Sequence, residues 1–300
     1  MLDTAPHHEV GQFRRSGDTI AYLWTGLRLN AGLPMYAPRD LGPGYAPVEI
    51  FSPPLVGALF RPIVLLPNAQ GIWVGAMALV LGLTGVLIVL RVPPAGLIIV
   101  ALAPEIGLSI MVGNIDAVVI AGLIATWWLL ARGREREAGL LLGVLASLKL
   151  TPAAIVWWAL VTGRRRTVGW SLASVAACAL VAMLATEPLI YVRFVEVTLA
   201  NYGGAMGPAS LGELGRTLGL PFATWLPRVA LVGGLALVWG VRKRPALAWT
   251  IAVVTMFLAS PVAAWHALTL LLAGLAPLMT QQAVQPGKKV VAGYMLSRWI

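Results

Sequence analysis

Charge is scarce in this chain. Only 11% of its 300 residues are Asp, Glu, Lys or Arg, against about 25% in an ordinary soluble domain. Acidic groups are the rarer kind, 12 against 22 basic ones. There is one cysteine, Cys178, inside an apolar run, so no internal disulfide forms and the redox compartment stays open. Of the three histidines, His7 and His8 are neighbours in a polar tail. No Cys–His spacing of a metal centre occurs, and neither a metal nor any other cofactor is expected. A Walker loop, a dinucleotide fingerprint and a nucleophile elbow are missing too. The amino terminus, "MLDTAPHHEVGQFRRSGD", has no apolar core of a signal peptide, so targeting is expected to come from later segments.

What fills the chain instead is apolar. Hydrophobic residues make up 59% and the mean hydropathy is +0.83, more than one soluble core can bury. The solvent is therefore lipid, and the chain reads as an all-α polytopic integral membrane protein with membrane lipids as partners. A net charge of +10 raises nucleic acid as a partner. The basic residues, however, fall in short clusters between apolar runs, the pattern of membrane topology and anionic headgroups, so no nucleic acid is expected.

Candidate spans run from Ile72 to Leu90, Ala95 to Val112, Ala117 to Ala131, Val168 to Thr186, Phe222 to Val241, Ala246 to Ala259 and Ala264 to Met279. Between the third and fourth lies "ARGREREAGLLLGVLASLKLTPAAIVWWALVTGRRRT", with arginines crowding both ends. A simple crossing would put Arg132 to Arg136 opposite Arg164 to Arg166, against the cytoplasmic bias of basic residues. Pro152 removes a helix hydrogen bond and disfavours helix at Thr151. We therefore read Ala138 to Val161 as two half-helices that enter and return, broken at Leu150-Thr151-Pro152. About seven spans and this re-entrant pair then put every basic cluster on one face. Lys149 rises towards the other face. The polar groups there are expected to converge on one cavity. They come from residues 1–68, an outer loop with short amphipathic or interfacial helices, and from the bundle 69–300, which carries the turn "VGNIDA", a loop at about 187–221 and "ASPVAAWHA".

At these residues the chain resembles glycosyltransferase family 87, polyprenyl-phosphate-mannose-dependent α-1,2-mannosyltransferases of the GT-C type. "DTIAYLWTGLRLNAGLPMYAP" is similar to the family's first outer loop, with its opening Asp and Gly-x-Pro-x-Tyr element. "FSPPLVGALFRPIVLLP" resembles its Tyr-Pro-Pro-Leu stretch. "GNID", "AGLLLGVLASLKLTP" and "LASPVAAWHALTLLL" follow in family order. The family pattern has a further span before the loop and more helices at the end, so the resemblance implies a chain trimmed at its amino terminus.

The resemblance implies a GT-C-like bundle in the plasma membrane with its active site on the extracytoplasmic side. Mannose would pass with inversion from a polyprenyl-phosphate donor to a lipid or polysaccharide acceptor. A phosphate leaves without strong protonation, so the chemistry needs one base for the acceptor hydroxyl and positive charge near the departing phosphate. By match to the family loop, Asp18 is the implied base, with Glu49 its understudy. Lys149 is the candidate phosphate partner, because a lysine deep in lipid costs about 2.5–3.5 kcal/mol and usually marks function. Its plainer role is snorkelling, or neutralising a carboxylate such as Glu105. Arg61 is a second candidate for phosphate, or an interfacial snorkel.

Substrate contacts are expected from His266 and Trp265, Asn114 and Asp116, and Asn201 and Tyr202. The structural alternatives are an interfacial anchor for Trp265, a helix cap for Asn114 and turn chemistry for the glycine-rich loop. Glu187 and Arg193 read as solvated, and the 12 tryptophans as lipid-facing or interfacial. Two other functions compete. One is a transporter or flippase, since broken helices and a mid-membrane lysine occur there too, although the broken motif does not repeat in the second half. The other is a truncated, inactive member of the family.

Overall fold

The computed structural model describes residues 17–36, 52–201 and 207–281, with the side chains of residues 200, 201 and 281 excepted. Within these, every regular element is helical. Glu49 and Tyr202, and the side chain of Asn201, lie outside the described set.

Two short helices precede the bundle, α1 (Gly17–Asn30) and α2 (Pro54–Ile63). They pack so closely at Gly26 that any side chain there would collide with the Phe60 carbonyl. Asn30 and Arg61 then lock the pair: Arg61 Nε donates to Asn30 Oδ1 at 3.0 Å, and Asn30 Nδ2 to the Arg61 carbonyl at 2.9 Å.

The bundle starts with α3 (Ala69–Arg91), capped by Asn68, whose side chain accepts from the Gly71 amide. Its 23 residues rise about 35 Å at 1.5 Å each, enough for a hydrocarbon layer of about 30 Å. The expected second span is not straight. It divides into α4 (Ala95–Ala101) and α5 (Ala103–Val112), bent by 61°. Pro104, in the first turn of α5, has no N–H to continue the α4 ladder, which accounts for the break.

Then come α6 (Asp116–Ala131), α7 (Glu135–Leu148), α8 (Ala153–Val161) and α9 (Arg165–Ala185). Next are α10 (Ile190–Asn201) and α11 (Leu211–Thr217) in the expected outer loop, then α12 (Leu226–Gly240) and α13 (Pro245–Leu258). A 3-10 segment (Trp265–Leu275) leads into α14 (Ala276–Gln281). By length and apolarity, three helical stretches among the described residues can cross a membrane, or four if the bent pair counts as one. Helices α6, α13 and the last segment are shorter apolar helices, so length alone does not reach the expected seven spans.

The arginine-flanked stretch behaves as expected. Helix α7 ends at Lys149, whose backbone turns extended (φ −150°, ψ 135°), and α8 begins after Pro152. The chain then returns to its starting level, since Arg164 Nη1 lies 3.8 Å from Glu135 Oε1. Helices α7 and α9 run side by side in the same direction. A Cβ on Gly139 would lie 2.5 Å from the Thr167 carbonyl oxygen, Gly143 meets Ser171 and Ser174, and Ser174 Oγ donates to the Leu140 carbonyl at 2.8 Å. Small residues four apart let two backbones approach in this way. The other limb leans elsewhere: Trp157 Nε1 on α8 donates to the Leu235 carbonyl of α12 at 3.1 Å. The two half-helices therefore splay.

Three tryptophans depart from the lipid-facing expectation. Trp127, Trp158 and Trp249 form a buried cluster with centroids 5.0 to 5.8 Å apart. Each indole N–H finds an acceptor: Trp127 the Thr280 hydroxyl, Trp158 the Pro245 carbonyl and Trp249 the Ala273 carbonyl. Buried indoles need such partners, and here they join α6, α8, α13 and the last segment at one end of the bundle. Trp128, Trp225, Trp239 and Trp265 remain exposed as expected. The arginines surround the same end, with Arg164 over Trp158, Arg136 over Trp170 and Arg242 over Trp239.

The common level of the basic clusters is testable. In a Cys178→Ser background, cysteines placed at Arg134 and at Arg166 should both react with a membrane-impermeant maleimide from the same side of sealed vesicles. Labelling from opposite sides would contradict the returning pair.

Candidate active site

At the end of the bundle away from these arginine clusters, four distant stretches of sequence meet. Helix α5 stops at Gly113, which takes a left-handed conformation (φ 62°), tolerated best by glycine. A side chain there would also strike the Thr19 hydroxyl. Thr19 Oγ1 donates to the Val112 carbonyl at 2.9 Å, and Trp73 Nε1 to the Gly113 carbonyl at 2.7 Å. The turn is thus pinned from α1 and α3, and it delivers Asn114 and Asp116.

Asn114 is 6% exposed, and both ends of its side-chain amide are engaged. Its Oδ1 accepts from the Asp116 amide at 2.7 Å, a side-chain turn just ahead of α6, whose cap position is Ile115 rather than the Asn114 anticipated from sequence. Its Nδ2 lies 2.6 Å from Asp18 Oδ2, to which it donates, and 2.8 Å from His266 Nε2. Asp18 Oδ2 and His266 Nε2 are themselves 3.4 Å apart, with side chains 36% and 12% exposed. Asp18 occupies the first turn of α1, where the helix dipole favours a negative group.

Asp116 is fully buried, and its Oδ1 is ion-paired with Lys149 Nζ. The partner anticipated for Lys149 was Glu105; the structure pairs it with Asp116. Asp116 Oδ2 has no hydrogen-bond partner among the described residues, so Lys149 carries its neutralisation. Lys149 is also part of the wall of a cavity of about 350 Å³ at the tip of the broken hairpin. Thr151, Phe194, Leu231, Met256 and Val262 line it as well. Its surface is mostly apolar, with Lys149 the sole charged residue of its lining. Asp18 does not line it. Asp18 and Lys149 thus do not share this cavity, and they connect through Asn114 and Asp116.

The other candidates sit apart or serve the scaffold. Arg61, besides binding Asn30, donates through Nη1 to the Ala185 carbonyl, so it ties α1, α2 and the end of α9 together. Trp265 precedes His266 but is 54% exposed. Asp116 is fully buried against Lys149 and offers no surface to a substrate. Glu187 and Arg193 pair with each other at 3.1 Å. Tyr22, which sequence reasoning passed over, is buried in contact range of Phe60 and Trp73 beneath the Asp18 turn; its position one helical turn beyond Asp18 was the available signal. Among the described residues no group of three His, Cys, Asp or Glu side chains is placed to hold a metal ion.

No curated protein and no solved structure matches the chain. The profile of glycosyltransferase family 87 does, over residues 51–261, a stretch that includes Asn114, Asp116 and Lys149 and leaves Asp18 and His266 on either side. That stretch is more than two thirds of the 300 residues, and the chain belongs to glycosyltransferase family 87.

Proposed function

We propose that this membrane glycosyltransferase transfers mannose, with inversion, from a polyprenyl-phosphate donor to a lipid or glycan hydroxyl on the extracytoplasmic face of the plasma membrane. The observation that carries the reading is the meeting of Asp18, Asn114, His266, Asp116 and Lys149 in one connected cluster, with the lysine opening onto an apolar cavity. A lysine in the wall of an apolar chamber suits a ligand with a phosphate head and a hydrocarbon tail. The opposite end of the bundle is ringed by arginine, and basic clusters mark the cytoplasmic side, which supports an outward-facing site.

In this reading the lipid tail lies against Leu231, Met256 and Val262, and its phosphate approaches Lys149. Asp18, the more exposed carboxylate, takes the acceptor's proton as the hydroxyl attacks the anomeric carbon from the face opposite the phosphate. The departing phosphate is met by the ammonium charge, so the chemistry calls for no metal. Glu49, Tyr202 and Asn201 belong to segments from which acceptor contacts are proposed.

The test uses purified protein in liposomes made with total membrane lipid as acceptor. Radiolabelled polyprenyl-phosphate mannose should lose its label to a new product, with release of the polyprenyl phosphate, whereas a sugar-nucleotide donor should transfer nothing. The reverse donor preference would overturn the proposal.

A further inference from the structure

Asn114 fixes the proton positions around it by elimination. The Asp116 amide can only donate, so the Asn114 atom 2.7 Å away must be the carbonyl oxygen. The other end is then the NH₂ group, with two hydrogens and two neighbours: Asp18 Oδ2 at 2.6 Å and His266 Nε2 at 2.8 Å. Both neighbours must accept. Asp18 Oδ2 is therefore an acceptor in the resting site, and His266 is neutral with its proton on Nδ1 and a lone pair on Nε2. Those two acceptors face each other across 3.4 Å, with no hydrogen between them.

We propose that this gap is where the reaction's proton goes, with His266 as the second proton acceptor and Asn114 the positioning residue that keeps its Nε2 vacant. The inference rests on Asp18 being the base. As the acceptor oxygen bonds to the anomeric carbon, the carbon–oxygen bond to phosphate breaks and its electron pair leaves on the phosphate. The hydroxyl proton passes to Asp18 Oδ2 and on to His266 Nε2. Asp18 is then a carboxylate again and His266 an imidazolium, hydrogen-bonded to it, which discharges to water once product leaves. The groups facing the imidazole are the Asp18 carboxylate from α1, the Asp116 carboxylate from α6 and the Lys149 ammonium from the hairpin tip. Burial opposes the transient cation most strongly, the two carboxylates favour it and Lys149 opposes it. Asn114 opposes it too, since its NH₂ would meet a second N–H. That opposition holds the site ready to receive a proton rather than already holding one.

The test is first spectroscopic. Protein labelled with ¹⁵N-histidine, with His7→Gln and His8→Gln to leave one imidazole, is placed in nanodiscs near neutral pH. His266 should show a protonated Nδ1 and a bare Nε2, the less common tautomer. The second arm measures transfer from polyprenyl-phosphate mannose against pH. Asn114→Asp replaces the NH₂ with an acceptor oxygen, so a proton on Nε2 becomes favourable, and the acid limb of the rate should move up by about one unit or more. His266→Gln, which accepts a hydrogen bond but takes no proton, should slow transfer about 100-fold. A proton found on Nε2, an acid limb that stays in place, or full activity in His266→Gln would each overturn the inference. If Asp18→Asn silences transfer in those same preparations, the base assignment stands and only the relay has failed. If Asp18→Asn is as active as the parent, both fall together.

Discussion

Asp18→Asn should lower transfer by about 10² to 10⁴-fold, the range a positioned general base supplies, while leaving the protein folded. The substitution is nearly isosteric, and an asparagine oxygen at the same place still accepts from Asn114 Nδ2, now 2.6 Å from Asp18 Oδ2. What disappears is the negative charge and the ability to take a proton. Thermal melting in detergent should shift little, because the carboxylate is 36% exposed and stands at the rim of the cluster. Unchanged initial rates with saturating lipid-linked donor would remove Asp18 from the mechanism.

Lys149→Met should have the opposite balance, harming both stability and activity. Asp116 is 0% exposed, and Lys149 is the partner of its Oδ1. Removing one member of a buried pair leaves an uncompensated charge, which typically costs about 3–5 kcal/mol. A second substitution separates the two effects. Lys149→Met with Asp116→Asn removes both charges, so the melting temperature should recover most of the loss. Transfer should not recover, because the phosphate has lost its cation; deleting one such electrostatic contact costs about 10² to 10³-fold. A double variant that folds and transfers normally would show that the pair is scaffolding and that the phosphate is bound elsewhere.

How much of this was readable from the chain depends on the range of the interaction. Apolar runs are local, so the helices appeared close to their expected places. The returning hairpin was readable because two signals coincide there, a proline after Thr151 and arginines at both ends. The bend at Leu102 escaped because its one signal was ambiguous: Pro104 can break a span or open a helix, since a first-turn proline loses no hydrogen bond. Trp127, Trp158 and Trp249 carry no local mark that separates a buried indole from an interfacial one; their acceptors lie 24 to 153 residues away. Within the site, Asp18, Lys149 and His266 were singled out through family resemblance and the rarity of charge. The pairing of Lys149 with Asp116 rather than Glu105 was not, because either acid was a possible partner until the fold chose one. Asn114 was legible as a residue at the start of α6, which places its cap at Ile115, but not as the bridge between Asp18 and His266.

The cluster draws on residues 96 and 152 positions apart in the chain. During synthesis the first of them is made long before the last has left the ribosome. A polypeptide halted after α13 would carry its amphipathic and lipid-facing helices but lack the imidazole that closes the ring. A fragment that stops short of residue 266 therefore cannot assemble the cluster, whatever else of the bundle it folds.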